Sequence, residues 1–177
     1  MRCALLLVVA ACSSPSDPVI THDSAMVDAD LAAHCLIKGN YGALGAITGT
    51  AGTAQSGDTT LTFVLANDAS GKDDLFFRLA AGKGVFAGGV AAGTYTIAGA
   101  DASYPSCGLC TNLIADITSS GPAKFYFAAT GTVTLDTVTA PITGNAANLH
   151  FTEIDIATGM TSSDCVADIA SVSFTAN

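Results

Sequence analysis

The stretch Tyr104-Pro-Ser-Cys-Gly-Leu-Cys-Thr-Asn-Leu-Ile-Ala-Asp-Ile117 is the densest local signal in the chain. A Cys-x-x-Cys pair, Cys107 and Cys110, leads directly into residues that are apolar at every second position from Leu113. Alternation with a period of two is typical of a β-strand that turns one face toward the core. We therefore interpret the cysteine pair as a covalent staple at the start of a core strand.

The chain on both sides of this stretch shows the same strand-like alternation of apolar and polar residues. Short alternating segments, clearest at 60–65, 75–79 and 132–136, are separated by clusters of Gly, Asn, Asp and Ser, and only 12% of the residues are charged. Regularly spaced short strands with such turns predict an all-β domain, a single antiparallel β-sandwich of about 8–10 strands. The segment Gly93-Thr-Tyr-Thr-Ile97 resembles a strand start of prealbumin-like sandwiches, and we expect a prealbumin- or Ig-like architecture.

The N-terminus carries an export signal. The apolar run that follows Met1-Arg2 ends at Ala11 and is too short to span a bilayer. Val9-Ala10-Ala11-Cys12 resembles the lipobox of bacterial lipoproteins, which implies cleavage before Cys12 and acylation of its thiol. We therefore divide the chain into a signal peptide (1–11), a flexible tether (12–33) and the β-domain (34–177). The alternative is an ordinary secretory signal in which Cys12 is incidental.

The same resemblance predicts a location and partners. Asp after the acylated cysteine tends to retain Gram-negative lipoproteins in the inner membrane, so Ser13 favours the outer membrane. The Cys-x-x-Cys and the late Cys165 also resemble uncharacterised Gly/Thr-rich, β-rich lipoproteins of such bacteria. A net charge of −9 disfavours nucleic acids. The expected partners are the membrane, through the lipid anchor, and an envelope protein or glycan.

Four cysteines remain once the export segment is set aside: Cys35, Cys107, Cys110 and Cys165. An exported chain meets an oxidising compartment, where disulfides persist. Four cysteines allow three connectivities, of which we favour Cys107–Cys110 with Cys35–Cys165 while the crossed pairings stay open. A redox-active Cys-x-x-Cys pair would lie at the start of a helix, and a zinc site would need a second close pair of cysteines, so both alternatives are weaker.

The sequence offers little for catalysis. His150 and Glu153 would lie on opposite faces of a regular strand, although a bulge near Thr152 could bring them together. Glu153 and Asp155 share a strand face, where a solvated edge is the simpler interpretation. The acidic segment 67–74 lacks the ligand spacing of a calcium loop and favours a solvated turn. We predict no catalytic residue, no metal and no cofactor, and a protein that is not an enzyme.

A binding surface is the better expectation. Lys124 and Tyr126 would share the outer face of one strand, with Phe125 and Phe127 in the core, and form a candidate binding patch. The chain has no Trp to serve as a sugar platform. We therefore predict an envelope protein with a structural or accessory role or a protein-contact role, and the sequence indicates no specific activity. The alternatives are a glycan- or protein-binding surface module and, more remotely, a secreted hydrolase or thiol-redox protein.

Overall fold

The computed structural model describes residues 34–65, 72–117 and 121–177. The strands are β1 (Asn40–Thr53), β2 (Thr59–Leu65), β3 (Asp73–Leu79), β4 (Gly93–Thr96), β5 (Leu109–Ala115), β6 (Lys124–Leu135), β7 (Ile142–Ile154) and β8 (Thr161–Ala176). Two 3-10 turns, Gly84–Phe86 and Gly99–Ala102, lie on either side of β4. The predicted all-β class is confirmed. Among the described residues, no helix has the length and apolar character needed to cross a membrane.

The sheet closes on itself. Its strand order is β4-β6-β5-β3-β2-β1-β8-β7, and an additional pairing joins β6 to β7, so that seven strands form a β-barrel. β4 lies outside this ring and pairs with the second half of β6, beyond the residues of β6 that pair with β5. The predicted two-layered sandwich is therefore wrong in its architecture: strands of this length, twisted and paired on both edges, curve into a closed wall instead of splitting into two layers.

The barrel closes through a parallel pair, although the sequence predicts an antiparallel sheet throughout. β1 runs beside β8, from Asn40 opposite Asp168 to Gly49 opposite Ala176. Parallel neighbours need a long crossover between them, and here most of the chain forms that crossover. The register shifts occur around Gly42, a glycine with a φ of 62° that a non-glycine residue adopts only with strain.

The two ends of the barrel are closed by different segments. At the end where the chain enters β1, Cys35 and Ile37 are buried in the core cluster. We call this the tether end; β2, β5 and β7 finish there, and β3, β6 and β8 begin there. At the opposite end, the loop end, residues 80–108 insert the buried side chains of Phe86 and Ile97. The interior is therefore a filled core with both mouths covered.

The faces of β6 are the reverse of those predicted in its first half. Tyr126 is fully buried inside the barrel, whereas Phe127 faces outward into a second cluster with the Cys107–Cys110 pair. Outward-facing aromatic residues are stable there because the loop before β5 covers them. Register shifts near Gly131, with a φ of 139°, then change the alternation, so that Val133 points inward.

Candidate functional site

The structure pairs Cys35 with Cys165 and Cys107 with Cys110, which is the connectivity that the sequence favours. The first bond joins the segment before β1 to β8, across the parallel pair that closes the barrel. The second lies on the outside of the wall, where Cys107, Cys110, Phe127 and Ile154 form a buried cluster. The first disulfide therefore links the segment before β1 to β8, and the second lies in the apolar cluster on the outside of the barrel wall.

A cation from another strand lies against the outer disulfide. Arg78 on β3 donates from Nη2 to the Cys110 sulfur at 3.2 Å, and its guanidinium lies 5.8 Å from the centre of the Tyr104 ring. Its Nε is 3.9 Å from a carboxylate oxygen of Asp58. Both sulfur-bearing residues are nevertheless fully buried, whereas a redox thiol must reach its substrate. The geometry fits a structural staple held under Arg78 and Tyr104.

A buried carboxylate organises the loop end. Asp101 is 3% exposed and accepts three backbone hydrogen bonds, from the N–H groups of Val85, Gly108 and Leu109 at 2.8–2.9 Å. The packing is close: a Cβ at Gly84 would lie 2.3 Å from the Asp101 carboxylate. This single side chain therefore fixes the two 3-10 turns to the start of β5.

The predicted patch of Lys124 and Tyr126 does not form a surface. Lys124 is half-buried and its Nζ lies 2.9 Å from Glu153, whose carboxylate also accepts a 2.6 Å hydrogen bond from Ser163. Tyr126 donates its hydroxyl to the Cys35 carbonyl at the tether end. Both residues lie on the inner face of β6 and close the barrel mouth, so the predicted patch on the outer face is wrong.

Two pKa values at this mouth depart from their usual ranges. Burial, followed by the negative charges of Glu153, Asp73 and Asp116, raises the pKa of Tyr126 well above its ordinary value of 10.0. Burial alone would raise the pKa of Glu153, but hydrogen bonds from Ser163 and Lys124 and the lysine charge hold it below 4.5. At neutral pH the mouth thus contains a neutral phenol beside an ionised carboxylate.

Replacing Tyr126 with Phe is expected to lower stability by about 1–2 kcal/mol at pH 7, because the Cys35 carbonyl loses its donor. The raised pKa adds a pH dependence of known sign. Above pH 10 the unfolded phenol ionises and the folded one does not, so this contribution is lost as pH rises. In urea unfolding, the gap between wild type and Tyr126→Phe should shrink from pH 10 upward; a constant or widening gap would contradict the assignment.

His150 is paired with a residue that the sequence did not suggest. Its Nδ1 lies 2.7 Å from the carboxylate of Asp168, its register partner on β8, while Glu153 is directed to Lys124 and Ser163. The predicted irregularity near Thr152 is present as a register shift, but it does not join His150 to Glu153. The His150–Asp168 pair is solvent-exposed and lies on the outer wall of the barrel.

A broad outer surface without charge is the most distinctive site. Two rows of small residues cross β4, β6, β7, β8 and β1, and the strand registers place each residue beside the next. We call them the uncharged face: Thr94, Thr134, Asn145, Ser173 and Ala46 in one row, and Thr96, Thr132, Ala147, Ser171 and Ala43 in the other. All ten are exposed or partly exposed. In a chain with 15 acidic residues, a surface of hydroxyl, amide and methyl groups stands apart.

The uncharged face contains a groove. A depression of about 290 Å³ runs over β1, β7 and β8, lined by Gly45, residues 145–147 and residues 171–173. Asn145, Ser171 and Ser173 supply polar groups, and the remaining lining residues are small or aliphatic. His150 lies three residues beyond Ala147 on β7, about 10 Å along the strand. The arrangement can hydrogen-bond a neutral ligand and offers no charge to a charged one.

The side-chain contacts and the groove described above could not be predicted from the sequence, for one common reason. Arg78, Tyr104 and Asp168 reach their partners across the sheet, and the groove is formed by three strands distant in sequence.

No cluster of three or more His, Cys, Asp or Glu suited to a metal ion occurs within residues 34–65, 72–117 and 121–177. The lipidation candidate Cys12, the signal peptide and the tether lie outside the described residues.

Comparison with known proteins identified no protein similar to this chain. Neither the family models, nor the curated proteins, nor the solved structures gave a match to this chain.

Proposed function

We propose that the protein is a lipid-anchored component of the bacterial cell envelope, on the outer membrane, that works by surface contact and not by catalysis. The uncharged face is its contact surface, and the ligand is an extended neutral polymer, a glycan chain. The observation that carries the proposal is the groove of small polar and aliphatic side chains within that face. The resemblance of Val9-Ala10-Ala11-Cys12 to a lipobox supports the anchor.

The chemistry of the groove supports a neutral, hydroxyl-bearing ligand. Ser and Asn side chains both donate and accept hydrogen bonds, as sugar hydroxyls do. Small residues let a chain approach the wall closely, and the lack of charge means that no ionic group must be desolvated on binding. The exposed His150–Asp168 pair lies beyond the groove and forms one boundary of the surface.

Placing a charge in the groove is expected to weaken binding. In retention assays of the full chain on cellulose, dextran and galactomannan, Ser173→Lys should reduce the affinity for the retained polymer by about tenfold or more, because the ammonium group loses water without gaining a partner. The matched control is Ser103→Lys, the same change at an exposed serine outside the uncharged face. It should leave the affinity unchanged.

Two results would count against this proposal. Equal loss of affinity in Ser173→Lys and Ser103→Lys would show that the groove does not form the contact. If no neutral polysaccharide retains the chain, the glycan assignment fails and a protein-contact role is favoured. The anchor is tested separately, since Cys12→Ala should abolish incorporation of labelled palmitate.

A further inference from the structure

We propose that the tether end of the barrel is a membrane-docking surface, whose occupant is the lipid bilayer that holds the acyl chains of Cys12. The inference rests on the proposed lipidation, which brings this end of the molecule to the bilayer. It adds that the barrel itself contacts the lipid and is held there in one orientation.

Exposed large apolar side chains are concentrated at this end. The described residues expose five of them: Val64 62%, Val85 38%, Ile117 36%, Ile156 44% and Met160 70%. Three lie at the tether end: Ile117 just after β5, and Ile156 and Met160 in the β7–β8 connection. Val85 lies at the loop end, and Val64 lies partway along the wall, because the register of β2 places it beside the middle of β1. Apolar side chains grouped at one end of a molecule mark a contact surface, whereas single scattered ones do not.

The most exposed pair is held in place by a well-bonded turn. One carboxylate oxygen of Asp155 accepts from the N–H groups of Ala157 and Thr158 at 2.8 and 3.0 Å. The Asp155 carbonyl also accepts a hydrogen bond from the Gly159 N–H at 2.7 Å, and the Asp155 N–H donates to the Met160 carbonyl at 2.9 Å. The exposure of Ile156 and Met160 is therefore a fixed feature of the turn and not the result of a frayed hairpin.

The charges at this end suit a lipid headgroup region. Lys38 and Lys72 are exposed there, as are Asp155 and Asp164, so the rim presents both signs although the whole chain carries −9. Ammonium and carboxylate groups beside apolar side chains match the mixed polarity of a bilayer interface. A predominantly acidic rim would be repelled by anionic lipids.

The tether determines which surface this end meets. It enters the barrel at His34, 22 residues after Cys12 (34 − 12). For the flexible tether that the sequence predicts, the end-to-end distance would be about 25 Å, so lipidation at Cys12 would hold the tether end close to the bilayer. At such a high effective concentration, weak contacts are enough to dock the rim. A bilayer therefore fits this surface better than a soluble protein partner, which would gain nothing from the tether.

Met160 is a built-in reporter of docking. The lipidated full chain is placed in protein-free vesicles of phosphatidylcholine and phosphatidylethanolamine and treated with a membrane-impermeant oxidant, and sulfoxide formation at Met160 is followed by mass spectrometry. Relative to the unlipidated Cys12→Ala chain without vesicles, docking should slow this oxidation by about tenfold. The double variant Ile117→Ser/Ile156→Ser should lose most of the protection. Val85→Ser, the matched change at the loop end, should keep it.

Each other outcome overturns the proposal in an identifiable way. Oxidation of Met160 on vesicles at the solution rate, in a chain whose mass shows the lipid, would mean that the barrel does not touch the bilayer. Protection in native envelopes but not in protein-free vesicles would assign the rim to a protein partner. A chain that carries no lipid at Cys12 would remove the anchor from the proposed function, and the mass distinguishes this failure from the other two.

Discussion

Replacing Cys35 and Cys165 together with Ala is expected to lower the free energy of unfolding by about 4–5 kcal/mol at 25 °C. The bond joins residues 130 positions apart, so its loss releases a large loop in the unfolded chain. In the native state it ties the segment before β1 to β8 across the parallel pair that closes the barrel. Urea unfolding followed by circular dichroism at pH 7 measures the change.

The second disulfide provides the control for this prediction. Cys107 and Cys110 are separated by three positions, so the same loop-entropy relation assigns their bond only about 2 kcal/mol. The double variant Cys107→Ala/Cys110→Ala should therefore remain the more stable of the two. If it is destabilised as much as Cys35→Ala/Cys165→Ala, the bond to β8 is not the main covalent support of the barrel.

Replacing Asp101 with Ala is expected to cost about 3–5 kcal/mol, because three backbone N–H groups lose their acceptor in a buried site. The donors belong to Val85, Gly108 and Leu109, so the damage should begin at the loop end. Amide hydrogen exchange should accelerate at these three residues before it does in β7 or β8. Asp101→Asn, which keeps one carbonyl oxygen, should be intermediate in stability.

Asp136 provides the matched control, since it is an exposed aspartate at the same end of the barrel. Asp136→Ala should change the free energy of unfolding by less than about 0.5 kcal/mol. A cost below about 1 kcal/mol for Asp101→Ala would contradict the role assigned to its three hydrogen bonds.

Local patterns predicted the strands well and their arrangement poorly. The alternation at Leu61, Phe63 and Leu65 correctly predicts an inward face, because burial on one side of a strand is written into the sequence with a period of two. Residues 142–147 lack that contrast, because small residues are tolerated on both faces of the wall, so their pattern favours a loop although they belong to β7. The number of strands falls in the predicted range, but their lengths, which favour a closed barrel, were missed.

Tyr126 illustrates why the candidate site could not be placed from sequence. On a two-layered sheet, an aromatic residue between Phe125 and Phe127 belongs to the outer face. Here a loop with its own disulfide covers the outside of β6, which makes the outer position the apolar one and leaves Tyr126 to reach Cys35 at the mouth. Contacts that depend on closure, including the uncharged groove over β1, β7 and β8, are created by pairings that no local pattern encodes.

The most direct test of the central claim, contact through an uncharged face, is the salt dependence of binding to the neutral polysaccharide that retains the full chain. A contact without ionic groups has no charge–charge attraction for salt to screen, so the dissociation constant should change by less than about twofold between 50 and 500 mM salt. A weakening of about tenfold over that range would require an attraction between charges on the protein and on the polymer, and would contradict an uncharged contact.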